Sequence, residues 1–162
     1  MSLSFKTASF EDLNIITNLA NNLWPQYYIS IITKEQINYM LEQVYSEKNL
    51  IQQMKDGQEF TIVNIDNKPI GYFSFSKIEN NNYFLHKFYI DIKNQRKNIG
   101  TQTFNYISNK LNTPKTIDLT VNRANYKAIN FYFKIGFVIK EIANFDIGNG
   151  YFMNDFVMTK KY

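Results

Sequence analysis

A chain of 162 residues, 44% apolar and 17% aromatic, is long enough for one domain with a real core and too apolar for extended disorder. The lack of cysteine excludes disulfides, thiolate metal sites and cysteine nucleophiles. The single histidine, His86, excludes a multi-histidine zinc centre and leaves a Ser-His-Asp triad only formally open. The net charge of +4 comes without a long block of Lys and Arg, so a composition rich in Asn, Ile, Lys and Tyr explains it better than a nucleic-acid surface.

Leu3 to Ala8 alternates like a short strand, and Ser9 with Asp12 opens a helical pattern through Leu13, Ile16, Leu19, Ala20 and Leu23 that Trp24-Pro25 is expected to end. Thr33 and Gln36 form a second helix start, leading to Tyr45. Ser46 is placed to cap a continuation that stops at Gly57. Glu59 to Ile65 and Pro69 to Ile78 flank Asp66-Asn67-Lys68 as a hairpin, and Tyr83 to Ile92 is a third β-rich run after Asn80-Asn81-Asn82. A helix is predicted from Ile99 to Leu111, a strand from Thr116 to Val121, and a helix from Asn125 to Ile135 closed by Gly136. Phe137 to Phe145 and Tyr151 to Lys160 are the last strands. The expectation is a mixed α/β (α+β) sheet in a single domain, residues 1–162, without repeat or linker. No apolar run approaches the roughly 18 residues that span a membrane, and MSLSFKTASF has no apolar signal core, so a cytoplasmic protein is expected.

Between the third β-rich run and the following helix stands Gln95-Arg96-Lys97-Asn98-Ile99-Gly100-Thr101. A strand feeding a helix amino terminus presents unpaired N–H groups and a positive dipole end to an anion. The stretch lacks the Lys-Ser/Thr of a P-loop and the three spaced glycines of a dinucleotide turn. It resembles the coenzyme A loop of the GNAT superfamily of N-acetyltransferases: Gln95 and Gly100 match, and Asn98 stands where the first glycine is usual. Asn tolerates the left-handed region best among residues with a side chain, so the loop is expected to survive that change. A second stretch, Asn122 to Phe137 (NRANYKAINFYFKIGF), is similar to the family's later motif, with Asn125, Ala128, Tyr132 and Gly136 at helical spacing. The segment Trp24 to Ser46 is similar to the amino-terminal part of bacterial spermidine or diamine acetyltransferases.

The resemblance, which runs from about residue 3 to 160, implies a GNAT fold with a central sheet of about seven strands and helices on both faces. It also implies acetyl-CoA as the acetyl donor and a small-molecule amine as acceptor, a polyamine among the candidates. It assigns Phe88, Tyr89 and Ile90 to the pantetheine arm, the Ile90 amide to the thioester carbonyl, residues 95–101 to the pyrophosphate, and Asn125 and Ala128 to the coenzyme. Tyr132 is implied as coenzyme contact and as donor to the leaving sulfur. His86 alone has an ordinary pKa suited to accept the amine's proton; water with Glu79 or Asp155 is the alternative route. By strand alternation His86 shares a face with Phe88 and Ile90, opposite Lys87 and Tyr89. Arg96, Lys97 and Arg123 are natural phosphate partners, and Trp24, Tyr27, Tyr28, Glu35 and Glu42 are candidates for a cationic acceptor. The aromatic carboxy-terminal hairpin would support a homodimer. An acyl-CoA-binding module without turnover remains the alternative to an enzyme, and no metal, membrane or nucleic-acid partner is expected.

Overall fold

The computed structural model describes residues 2–162, apart from the side chains of residues 95–97. Among the described residues are seven strands, β1 (Leu3–Thr7), β2 (Glu59–Ile65), β3 (Lys68–Lys77), β4 (Asn82–Ile90), β5 (Thr116–Asn122), β6 (Val138–Gly148) and β7 (Tyr151–Lys161). Five helices join them: α1 (Leu13–Tyr28), α2 (Lys34–Tyr45), α3 (Glu47–Lys55), α4 (Ile99–Lys110) and α5 (Tyr126–Lys134). The sheet runs in the order β1-β2-β3-β4-β5-β7-β6, with β4 and β5 parallel and the β1–β2, β2–β3, β5–β7 and β6–β7 pairs antiparallel. Mixed α/β architecture is thus present as expected. Contacts divide the chain into two compact units, residues up to Ser76 with His86–Leu111, and Lys77–Leu85 with Asn112–Tyr162.

In the first unit, the Ser9 side chain accepts from the Glu11 amide at 3.3 Å while Asp12 accepts from the Ser9 amide at 3.0 Å, which starts the chain into α1. Leu13, Ile16, Ala20 and Leu23 then recur at helical spacing and are buried. The expected stop at Trp24-Pro25 is not there: α1 runs on through Pro25 to Tyr28, and the Ile29 amide bonds the Pro25 carbonyl at 3.1 Å. An interior proline costs about 3 kcal/mol. Here it is offset by the turn it sits in, because Trp24 and Tyr28 are both buried, meet at 4.8 Å with tilted rings, and Trp24 Nε1 donates to the Tyr45 hydroxyl at 3.1 Å. Thr33 caps α2 by accepting from the Gln36 amide at 3.1 Å, whereas Ser46, at the same position of α3, makes no side-chain cap bond. Asp66 and Asn67, at φ +48° and +63°, build the tight turn between β2 and β3. Successive β3 side chains serve opposite layers: Tyr72 donates to the Tyr45 hydroxyl of α2 at 2.7 Å, and Phe73 meets Tyr106 of α4 at 6.3 Å. Helices therefore cover both faces of this unit's strands.

In the second unit, β4 pairs with β5 over Asn82, Tyr83 and Phe84, opposite Thr116, Ile117 and Asp118. The α5 helix ends at Gly136, whose φ of +97° suits a left-handed cap. Gly136 therefore lies beyond the helix that Asn125, Ala128 and Tyr132 share, rather than on its face. Lys160 of β7 donates to the Ile135 carbonyl at 2.6 Å, holding that end of α5 to the sheet. β6 is the sheet's edge, and Val138, Ile142 and Phe145 on it stay exposed.

Candidate active site

In the first unit the chemistry gathers where β4 ends. Consecutive residues of a strand turn their N–H and C=O to opposite edges. The Asp91 amide bonds the Ile70 carbonyl of β3 at 2.8 Å, so the N–H and C=O of Ile90 face away from β3. On that edge stands Tyr27 of α1, whose hydroxyl donates to the Ile90 carbonyl at 2.5 Å and accepts from the Ile90 amide at 3.4 Å. Its ring meets Tyr89 at 5.6 Å, and Tyr89 is packed in turn by Trp24 at 5.7 Å and Tyr72 at 5.5 Å. The Tyr28 and Tyr89 hydroxyls are bonded at 3.1 Å. Four expected residues, Tyr27, Tyr28, Tyr89 and Ile90, are therefore brought together with Trp24. Trp24 itself is 5% exposed and belongs to the core under them. Glu35 and Glu42 lie on the exposed surface of α2, and Phe88 is half-buried.

The position of β3 is set by Gly71. A Cβ there would overlap the Tyr89 carbonyl oxygen, so only glycine lets the two strand backbones approach this closely. After β4, Asp91 starts a short 3-10 turn over Ile92–Lys97, its side chain accepting from the Lys93 amide at 3.0 Å. Asn98 then enters α4 in the left-handed region, φ +55° and ψ +18°, and makes no side-chain cap bond. Ile99 is buried beneath the turn, while Gly100 and Thr101 are half-buried. The side chains of Gln95, Arg96 and Lys97 lie outside the described residues.

His86 bonds the Ser76 hydroxyl through Nε2 at 2.7 Å. Although the residue keeps accessible surface, desolvation of its ring, followed by the nearby Lys87 cation, lowers its pKa to about 4. The imidazole is therefore neutral at pH 7. Lys87, on the opposite face, is buried beside α3: Nζ donates to Gln53 Oε1 at 2.5 Å and Gln58 Oε1 at 3.1 Å, and lies 5.1 Å from the Phe60 ring centre. Two neutral amides replace a counter-ion there, and burial lowers the lysine's pKa to about 7. Strand alternation predicted Lys87's face, but nothing in its neighbours in sequence announced this pocket.

In the second unit, Asn125 caps α5, its side chain accepting from the Ala128 amide at 3.2 Å, and Asn122 accepts from the Ala124 amide at 2.9 Å. Ala128 is half-buried. Tyr132 is buried and meets Phe137 edge-on at 5.5 Å. Arg123 reaches Asn144 Oδ1 at 2.8 Å. Asp155 is buried on β7; desolvation, opposed by Thr120 and Arg123, raises its pKa to about 6, and its Oδ1 has no partner. Glu79 lies exposed before the Asn80-Asn81 turn. Among the described residues no three His, Cys, Asp or Glu side chains group as metal ligands, and no helix is long and apolar enough to cross a membrane.

The chain is 27% identical to a spermidine N(1)-acetyltransferase of Thermoplasma acidophilum, over 100% of this chain and 99% of the relative. In structure it matches the PaiA N-acetyltransferase of T. acidophilum, solved in complex with coenzyme A, with a TM-score of 0.84, 25% identity and full coverage of both chains. It shares its fold also with the ribosomal-protein-S18-alanine N-acetyltransferase of Escherichia coli, at TM-score 0.74, 15% identity and 99% and 94% coverage. A model of the acetyltransferase (GNAT) domain matches residues 29–148. With that match over most of its length, and with a matching fold, the chain belongs to the GNAT acetyltransferase family.

Proposed function

We propose that this acetyltransferase moves an acetyl group from acetyl-CoA to a primary amine of a small molecule, a polyamine such as spermidine in first place, by direct attack in a ternary complex. The substrate class is carried over from the 27% identical spermidine N(1)-acetyltransferase, and the donor from the coenzyme A complex of the PaiA relative. The observation that carries the reading is Asn98, which adopts the left-handed torsions, φ +55°, that a glycine in this loop would permit. Since the Asn98 side chain makes no cap bond to α4, the described residues fit an anionic phosphate group.

Acetyl-CoA supplies the acetyl group: a carbon–nitrogen bond forms as the carbon–sulfur bond breaks, one proton leaves the amine and one reaches the sulfur. In this reading residues 95–101 hold the phosphates, Phe88, Tyr89 and Ile90 hold the pantetheine arm, and Asn125 and Ala128 serve the coenzyme from α5. The Ile90 N–H polarises the thioester carbonyl. Tyr132 donates to the leaving sulfur, whose thiol pKa of about 8.5 makes partial assistance sufficient. A primary amine of pKa about 10.4 is mostly protonated at pH 7, and neutral His86 is the proposed acceptor of its proton. The low pKa of that imidazole gives the step little driving force and a small share of the rate. Tyr27, Tyr28, Glu35 and Glu42 serve the cationic acceptor, with Trp24 supporting the two tyrosines from the core. The protein is proposed to work in the cytoplasm as one domain over residues 1–162, and the exposed Val138, Ile142, Phe145 and Phe152 support a homodimer.

Release of free thiol from acetyl-CoA across a panel of amines tests this. The protein has no cysteine, so a thiol reagent reports product alone. Turnover with spermidine is expected, and Tyr132→Phe is expected to lower kcat by at least about tenfold with coenzyme A affinity kept. Binding of coenzyme A without turnover of any amine would turn the reading to an acyl-CoA-binding module without turnover, and equal losses of kcat and affinity would give Tyr132 a packing role.

A further inference from the structure

The Tyr27 hydroxyl straddles the two backbone groups of Ile90, donating to the carbonyl at 2.5 Å and standing 3.4 Å from the amide nitrogen. All of these atoms belong to the first unit. We infer that Tyr27 is a second hydrogen-bond donor to the carbonyl oxygen that the Ile90 N–H polarises, an inference that rests on the acetyl-transfer reading above.

Two donors 3.4 Å apart converge on one acceptor when that oxygen lies about 2.7 to 2.9 Å from each, which is ordinary hydrogen-bond geometry. A phenol hydrogen rotates about the C–O bond, so Tyr27 can turn its proton from the Ile90 carbonyl to an oxygen seated at the amide. The exchange favours the oxygen that gathers negative charge, because a charge-assisted bond is about twice as strong as the neutral one it replaces. The hydroxyl is therefore parked beside the place where charge develops, and it turns to a carbonyl oxygen seated there, most strongly to one that gathers charge. Its ring is fixed for this role by the edge-on contact with Tyr89, itself wedged between Trp24 and Tyr72. Tyr27 is only half-buried, so an incoming carbonyl can reach it, whereas the neighbouring Tyr28 is 8% exposed.

The experiment compares wild type with Tyr27→Phe, which keeps the ring and its packing. Calorimetry measures the affinity of coenzyme A and of its S-acetonyl ether, a ketone analogue that presents a carbonyl but cannot transfer it. Infrared spectroscopy reads the carbonyl stretch of the bound, carbon-13-labelled ketone. Expected are a tenfold or greater loss of affinity for the ketone with coenzyme A unchanged, a carbonyl band shifted upward in the variant, and a kcat about a hundredfold lower. Unchanged ketone affinity and band position would overturn the inference, as would equal losses for the ketone and for coenzyme A. The wild-type band is a check independent of the variant's folding: a stretch no lower than that of the ketone held by one backbone donor in a model amide solvent would also overturn it. Failure of the wild type to bind coenzyme A would instead overturn the acetyl-transfer reading, and the inference with it.

Discussion

The two places where a strand hands over to a helix are built on opposite plans. Where β5 leads into α5, Asn122 and Asn125 turn their side chains onto the Ala124 and Ala128 amides, so the junction satisfies itself. Where β4 leads into α4, the asparagine at the same structural place spends its conformation instead: Asn98 takes positive φ and caps nothing with its side chain. The same residue type thus satisfies the helix start with its side chain in one unit and, in the proposed reading, leaves the helix start to an outside anion in the other. Single charges also differ in how they are answered, although each unit holds ion pairs or hydrogen-bonded charges of its own, such as Lys6 with Asp12 in the first. Asp118 of the second unit is answered by Thr159 at 2.5 Å and Lys140 at 3.0 Å, whereas Lys87 of the first is met by two glutamine oxygens and the faces of Tyr45 and Phe60, with no carboxylate beside it among the described residues.

The contrast breaks most sharply at Asn98. Asn98→Val places a β-branched residue where φ is +55°, and coenzyme A affinity is expected to fall about a hundredfold, while Asn98→Gly keeps it. Wild-type affinity in the valine variant, measured by calorimetry, would remove the backbone from the account of this loop. Lys87 comes next. Its folded pKa, about 7, lies below the unfolded value near 10.5, so the unfolded chain holds more protons between them and stability rises with pH through that window. Lys87→Met is expected to flatten the rise, worth about 3 kcal/mol in chemical denaturation between pH 7 and 9.5. Above that range the buried Tyr45 and Tyr72, whose pKa values are pushed up, oppose it. A slope that survives the substitution belongs to another group. Asn125→Ala is the mildest, an expected loss of about 1 kcal/mol from the missing cap together with a fall of a few fold in coenzyme A affinity. If stability falls while affinity holds, Asn125 is a helix cap alone and its proposed part in coenzyme binding is wrong.

Local chemistry was readable in the sequence and remote chemistry was not. Thr33 with Gln36, the Asp66-Asn67 turn, Gly136 and the left-handed Asn98 each follow from torsions and hydrogen bonds within a few residues. Pro25 misled because its local cost is overridden by the burial of Trp24 and Tyr28, a tertiary effect. Alternation told which face Lys87 occupies, yet its partners Gln53 and Gln58 stand 34 and 29 residues away. The bond from Tyr27 to Ile90 spans 63 residues, and no periodicity carries it. The motifs named the strand and loop to watch, while the groups that tune them came from elsewhere in the fold.

Gly71 joins those groups in a way that bears on how such a chain can drift. A side chain there would strike the Tyr89 carbonyl and push the Ile90 segment away, misplacing the proposed catalytic amide through backbone displacement alone. The alphabet at that position has one letter for as long as β3 and β4 keep this approach, and any escape requires both strands to change together.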